Sequence, residues 1–230
     1  MANKLNLSRQ TKIVPYDKIN EYTFKVFGVG SIGSKFVREL AKSGAINIEV
    51  FDMDIVEEEN IAAQAYDFEH IGKNKVDALA EIVKKGSGID LITVHGTVTK
   101  ETKITPEANT IYCCFFDSFE GRQLIFDKIK TFPTIFIDGR IGGYNKRHYL
   151  VDCSIKEDVK EYDKTLKTTA ESELACGEKA NAAINSIIAG EIIMNLITFI
   201  LKKDYIQTHI GSVMAPNSNI NVLKLITATE

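Results

Sequence analysis

Gly28-Val29-Gly30-Ser31-Ile32-Gly33 is a GxGxxG that follows an apolar run and opens a helical pattern. In such a loop the first glycine permits a tight turn, the second lets the backbone approach a phosphate, and the third lets helix and strand pack. The N-terminal amides of the helix then face the anion. Asp52 stands 19 residues beyond Gly33, at the end of the next apolar run, where a carboxylate can accept hydrogen bonds from ribose hydroxyls. A glycine turn beside a solvated acid is the plain alternative, but strand, turn and helix in that order favour a nucleotide. The loop does not by itself separate NAD, FAD and ATP.

The elements that must hold these groups alternate along the chain. Thr23 to Val29 reads as a strand, Ile32 to Ser43 as a helix, Asn47 to Asp52 as a strand, and Asn74 to Lys85 as a helix with Val76, Leu79, Ala80 and Val83 on one face. Strands are expected at Asp90 to His95, Thr110 to Phe116 and Thr134 to Ile137, with a helix from Phe119 to Lys130. That rhythm predicts an α/β fold with a doubly wound, mostly parallel sheet of the Rossmann-like kind. A further strand is expected over Arg147 to Cys153, a long helix near 180 to 203, and a last strand around Ile220 to Thr227. Between them, 154 to 179 is polar and charged without clear period and reads as a long crossover loop or lid. The whole of 1–230 reads as one domain, with an N-terminal arm over 1–22.

Composition narrows the function classes. The chain has 230 residues, 28 Lys+Arg against 31 Asp+Glu, a net charge of −3 and 44% hydrophobic residues. Balanced charge gives no long-range attraction for nucleic acid or anionic membrane, and the apolar content suits a packed core. MANKLNLSRQ has no apolar stretch of the kind a signal peptide needs. Ala182 to Leu201 is apolar enough to raise the question of a membrane span. However, Asn181, Asn185, Glu191, Asn195, Thr198 and Lys202 share one helical stripe, which suggests a buried amphipathic helix. Cysteines 113, 114, 153 and 176 form no CxxC pair. Reduced thiols and a cytoplasmic location are the expectation. Cys113 and Cys114, within IYCCFF, read as core, and the four histidines at 70, 95, 148 and 209 show no ligand spacing.

Beyond the glycine loop, Asp52-Met53-Asp54-Ile55-Val56 runs into Glu59-Asn60-Ile61-Ala62-Ala63-Gln64, and Ile71-Gly72-Lys73-Asn74-Lys75 opens a helix. This succession resembles the ThiF/MoeB/HesA family, the adenylyltransferases related to ubiquitin-activating enzymes, whose pattern is a glycine loop, D-x-D-x-V, N-x-x-R-Q and G-x-x-K. Arg9-Gln10 is similar to the family's N-terminal R-Q, and Asp117-Ser118 with Arg122 to its D-(N/S)-x-x-x-R. Phe136-Ile137-Asp138-Gly139-Arg140-Ile141-Gly142-Gly143, read as a strand followed by a second glycine-rich turn, resembles phage-type members. The resemblance covers about Arg9 to Leu201.

It implies ATP and Mg²⁺ as cofactors, a ubiquitin-like or sulfur-carrier protein as partner, and a homodimer. Adenylation brings a carboxylate to the α-phosphate and expels pyrophosphate, so cations and oriented amides must surround the phosphates. The cofactor-binding set is then Gly28, Gly30, Ser31, Gly33, Asp52, Asp54, Asn60, Gln64 and Lys75. Lys75 would hold phosphate and is otherwise a surface lysine, whereas Asn60 would donate from its amide or serve as a cap or turn residue. Asp117 falls at a strand's C-terminal end, where a hard carboxylate suits Mg²⁺. It would equally serve as N-cap of the following helix. Arg9 would reach a partner's active site or remain a mobile arginine. Arg140 would bind phosphate or an acyl carboxylate, or pair with Asp138 or Asp152.

Two departures bear on activity. Ala63 stands where the family has Arg, and loss of a cation beside pyrophosphate can cost ~3 kcal/mol of transition-state stabilisation unless Arg140, Arg9 or Lys73 replaces it. The paired CxxC zinc ligands of many family members are missing, so no structural zinc is expected. Cys176, before Gly177-Glu178-Lys179 and the long helix, lies where the family places a sulfur-chemistry cysteine. A helix N-terminus and Lys179 would favour its thiolate, and a small buried residue is the alternative. Three functions remain: an ATP-dependent adenylyltransferase, a nucleotide-binding interaction protein whose catalysis has decayed, and an NAD-dependent oxidoreductase.

Overall fold

Short β-branched and aromatic runs build one sheet of eight strands. They are β1 (Thr23–Phe27), β2 (Ile48–Asp52), β3 (Ile92–His95), β4 (Thr110–Cys114), β5 (Ile135–Gly142), β6 (Asn145–Asp152), β7 (Tyr205–Ser212) and β8 (Asn221–Ile226). The computed structural model describes residues 5–167, 181–202, 204–212 and 221–226. The sheet order is β3-β2-β1-β4-β5-β6-β7-β8. Pairing is parallel from β3 through β5 and antiparallel from β5 to β8. The order reverses between β1 and β4, and at such a switch point the ends of adjacent strands leave a crevice.

Helices α2 (Gly33–Lys42), α3 (Lys75–Ser87) and α6 (Ala182–Lys202) cover one face, and α4 (Phe119–Ile129) and α5 (Lys156–Lys167) the other. A short α1 (Tyr16–Ile19) anchors the N-terminal segment through the buried Ile19. Because strand side chains alternate, Ile111 and Cys113 join the α2/α3/α6 core while Tyr112 and Cys114 join the α4/α5 core. Cys113, Cys114 and Cys153 are free thiols. Burial pushes Cys114 and Cys153 up to about 12.

Three expectations change. Asp138, Gly139 and Arg140 lie inside β5, not in a turn; the β5–β6 hairpin turns instead at Gly143-Tyr144, where Gly143 adopts φ +56°. Part of the expected crossover loop is α5, held by Tyr162 at 1% exposure. Strand β7 lies outside the expected elements, because its inward positions Tyr205 and Gln207 show no apolar alternation. The polar stripe of α6 lies partly inside the fold. Asn185 is fully buried, and Asn195 is 7% exposed with its amide bonded to both N–H and C=O of Ile206 at 2.8 Å. The helix is apolar and long enough to cross a membrane by length and composition, and 61% of its most apolar 18-residue window is buried in the fold.

Candidate functional site

The glycine loop sits where β1 runs into α2. Gly28 has φ +87°, and a Cβ there would lie 3.0 Å from the backbone of Phe115 at the end of β4. A Cβ on Gly33 would come 2.0 Å from the Gly28 carbonyl, so only glycine lets α2 start this close to the strand. Gly30 differs, because a Cβ there meets nothing within 4 Å. No side chain caps the N-terminus of α2. Ser34 N–H bonds the Gly30 carbonyl at 3.0 Å across the loop, and Gly30 and Ser31, both half-exposed, form its solvent-facing side.

Two side chains, Asp52 and Tyr66, tie this loop to the segment between β2 and α3. Asp52 accepts from Val29 N–H at 2.8 Å and from Asp54 N–H at 2.9 Å, one on each carboxylate oxygen. The Tyr66 hydroxyl donates to the Val29 carbonyl at 2.7 Å and lies 3.3 Å from the Lys75 carbonyl. Burial, reinforced by Asp52 and Asp54, pushes the Tyr66 phenol well above its ordinary value, so it stays a donor. No sequence pattern singles Tyr66 out. Asp54 pairs with Lys75 twice over, main chain to main chain at 2.9 Å and carboxylate to Nζ at 2.7 Å. Lys75 is buried at 7% exposure, so it is not the surface lysine that composition alone suggests. A continuous network thus joins Gly28–Gly33, Asp52, Asp54 and the N-terminus of α3.

Asp117 lies two residues beyond Phe115. It is exposed and has no hydrogen bond or ion pair among the described residues. The cap of α4 is Ser118, whose Oγ accepts from Gly121 N–H at 3.2 Å, so Asp117 does not serve as the cap. Asn60 Oδ1 accepts from Glu57 N–H at 3.0 Å, the capping use, while its amide NH2 has no hydrogen-bond partner among the described residues. Gln64 turns a buried Oε1 toward no partner. The carbonyl of Ala63 accepts from Asn185 Nδ2 at 3.0 Å, and next to Asn185, Ser186 Oγ accepts from Lys35 Nζ at 3.3 Å. Lys35, 8% exposed, is a cation that sequence reasoning missed; burial, then Arg38, lowers its pKa. Lys73 pairs with Glu81 at 2.5 Å.

Arg140 does not join this group in the structure. Its Nε lies 2.6 Å from Asp138, and its guanidinium stacks against Tyr149 with 4.6 Å to the ring centroid. Arg122 holds the other oxygen of Asp138 at 2.9 Å, and the Tyr162 hydroxyl adds a bond at 3.0 Å. Burial would raise the Asp138 pKa, but Arg140 and then Arg122 hold it below the ordinary carboxylate value. Of Asp138 and Asp152, Asp138 is the partner that Arg140 takes. Arg9 is exposed on a turn near the N-terminus. Cys176 and Lys179 lie outside the described residues.

A model of the ThiF family matches residues 3–228. The chain belongs to the ThiF family. This ThiF-family protein is similar to the NEDD8-activating enzyme E1 catalytic subunit of Arabidopsis thaliana, at 32% identity over 113 residues, which cover 47% of this chain and 25% of that one. It is 29% identical over 117 residues to SUMO-activating enzyme subunit 2 of Dictyostelium discoideum, covering 50% and 17% of the two chains. Less than a third of either relative is therefore spanned. Among solved structures it shares its fold with E. coli MccB crystallised with ATP, at a TM-score of 0.69 and 18% identity over 94% of this chain and 66% of that one.

Proposed function

We propose that this ThiF-family protein is an ATP-dependent adenylyltransferase. The observation that carries the reading is the uncapped N-terminus of α2 beneath the open side of Gly30, with the buried Lys75 tethered beside it through Asp54 and Tyr66. Amides and an ammonium arranged this way favour a polyphosphate. Asp52 keeps lone pairs for ribose hydroxyls, and Lys75 would exchange its bond to the half-exposed Asp54 for phosphate oxygen. A substrate carboxylate oxygen attacks the α-phosphorus, the bond to the pyrophosphate oxygen breaks, and an acyl-adenylate and pyrophosphate result. Asp117, unpaired and hard, fits Mg²⁺, which neutralises phosphate charge when bound. Lys35 supplies the positive charge that Ala63 lacks.

The NEDD8- and SUMO-activating relatives support a ubiquitin-like or sulfur-carrier protein as the acyl donor. Ile187 and Met194, 39% and 52% exposed on one side of α6, support a homodimer, which gel filtration tests. The free thiols support a cytoplasmic setting. ATP–pyrophosphate exchange in the presence of candidate carriers tests the reaction. Absence of exchange with retained ATP binding favours the second reading, a nucleotide-binding interaction protein, for which Ala63 is the specific observation. Thermal stabilisation by NAD and not by Mg·ATP overturns both, since ligand at 100 times its Kd stabilises by ~2.7 kcal/mol.

A further inference from the structure

His148 on β6 stands directly opposite His209 on β7 in antiparallel register, with ring centroids 5.0 Å apart and the rings edge to face. Far apart in the chain, the two are cross-strand neighbours on the face that α6 covers. From α6, Glu191 reaches down so that its Oε2 is 3.3 Å from His209 Nδ1. Its Oε1 pairs with Lys146, two residues before His148 and on the same face of β6. One donor atom from each of His148, Glu191 and His209 can be chosen so that all lie within 4.8 Å of one another.

Several of these donor atoms have no hydrogen-bond partner. His148 is 2% exposed, yet neither ring nitrogen has a hydrogen-bond partner. Glu191 Oε2 is also buried without one, the His209 contact being at ion-pair distance only. Buried polar groups are nearly always paired, and an exception calls for an ion or water. Burial and the facing His209 push His148 down to about 3, against the pull of Glu191, with Lys146 adding to the depression and Asp138 opposing it.

We propose that His148, His209 and Glu191 form a binding site for a divalent ion of the zinc class. Two imidazoles and one carboxylate suit zinc rather than Mg²⁺ or Ca²⁺, which take oxygen donors, and three protein ligands leave a fourth position for water. Bonds of about 2.1 Å imply donor separations of about 3.4 Å, so the trio must contract slightly. Glu191, 31% exposed in its side chain, has room to swing. Lys146 stays on Oε1 and orients the carboxylate, while its charge limits the affinity. The ion ties α6 to β6 and β7.

The test uses the full chain, freed of metal by chelation and kept without nucleotide. Calorimetric titration with Zn²⁺ is expected to give one ion per chain, and Co²⁺ a tetrahedral d–d spectrum without thiolate charge-transfer bands. Glu191→Gln and His209→Gln are each expected to weaken Zn²⁺ binding at least ~10-fold while keeping the parent circular dichroism. These two carry the test because His148, wholly buried, is the position whose replacement risks misfolding. Absence of Zn²⁺ binding, a Co²⁺ spectrum dominated by thiolate bands, or either variant binding as tightly as the parent overturns the proposal.

Discussion

Replacing Asp138 by Asn keeps the shape of the side chain and removes the one negative charge between the guanidiniums of Arg122 and Arg140. Asp138 is fully buried and accepts from Arg122 at 2.9 Å, Arg140 at 2.6 Å and Tyr162 at 3.0 Å. Removing one partner of a buried ion pair costs about 3–5 kcal/mol, because the remaining charge is left uncompensated. Here two guanidiniums are stranded, partly relieved by the ring faces of Phe119 and Tyr149. We expect ~4 kcal/mol, a large part of the ~5–15 kcal/mol available to a domain. With a urea slope of ~3 kcal/mol/M the midpoint falls by roughly 1.3 M. The chain has no Trp, so far-UV circular dichroism is the probe. The pH dependence gives a second check. The folded pKa of Asp138 lies below its unfolded value, so the charge contributes fully above the unfolded pKa of ~3.9 and is lost as pH falls through the folded one. The gap between parent and variant should therefore narrow in acid. A midpoint shift below ~0.3 M near neutrality, or a gap that widens in acid, would refute the reasoning.

Gly30 and Gly33 should part company. Gly33→Ala drives a Cβ to 2.0 Å from the Gly28 carbonyl and should cost more than ~2 kcal/mol in a chemical melt, whereas Gly30→Ala, with nothing within 4 Å, should change stability by less than ~0.5 kcal/mol yet weaken Mg·ATP binding measured by calorimetry. Tyr66→Phe leaves the Val29 carbonyl without its donor and should cost ~1–2 kcal/mol in urea titration. Asn195→Ala removes both bonds to Ile206 and should destabilise by ~2 kcal/mol, with faster hydrogen exchange at the Ile206 amide as its local signature.

The parallel half of the fold was legible because each of its units announces itself. The run TFKVF leads into Gly28, which takes positive φ, and a helical period begins at once after the loop. The antiparallel half was harder. Its strand β7 buries Gln207 and half-buries His209, so inward and outward positions look alike in hydropathy. Asn185 and Asn195 register in the sequence only as part of a polar stripe, because periodicity sees polarity, not the carbonyls of Ala63 and Ile206 that their amides bond. Among site residues, Lys75 and the glycines were found through local motifs. Tyr66 and Lys35 act through contacts with segments distant in the chain, and no spacing rule reaches across such gaps. The pairing of Arg140 with Asp138 obeys the side-chain period of a strand, two residues apart on one face, once the stretch is recognised as β5 and not as a turn.

Strands β6 and β7 are neighbours in the sheet, yet one ends at Asp152 and the other begins at Tyr205. On the ribosome, at about 5–20 residues per second, β6 therefore waits several seconds for its partner, while β1 to β5 already have all their pairing strands. During that interval its outer edge presents open N–H and C=O groups to any other nascent chain. The stretch of polypeptide that supplies α5 and α6 sets the length of this exposure, so yield in the cell should respond to chaperone supply and translation speed across residues 153–204 more than to the stability of the finished protein.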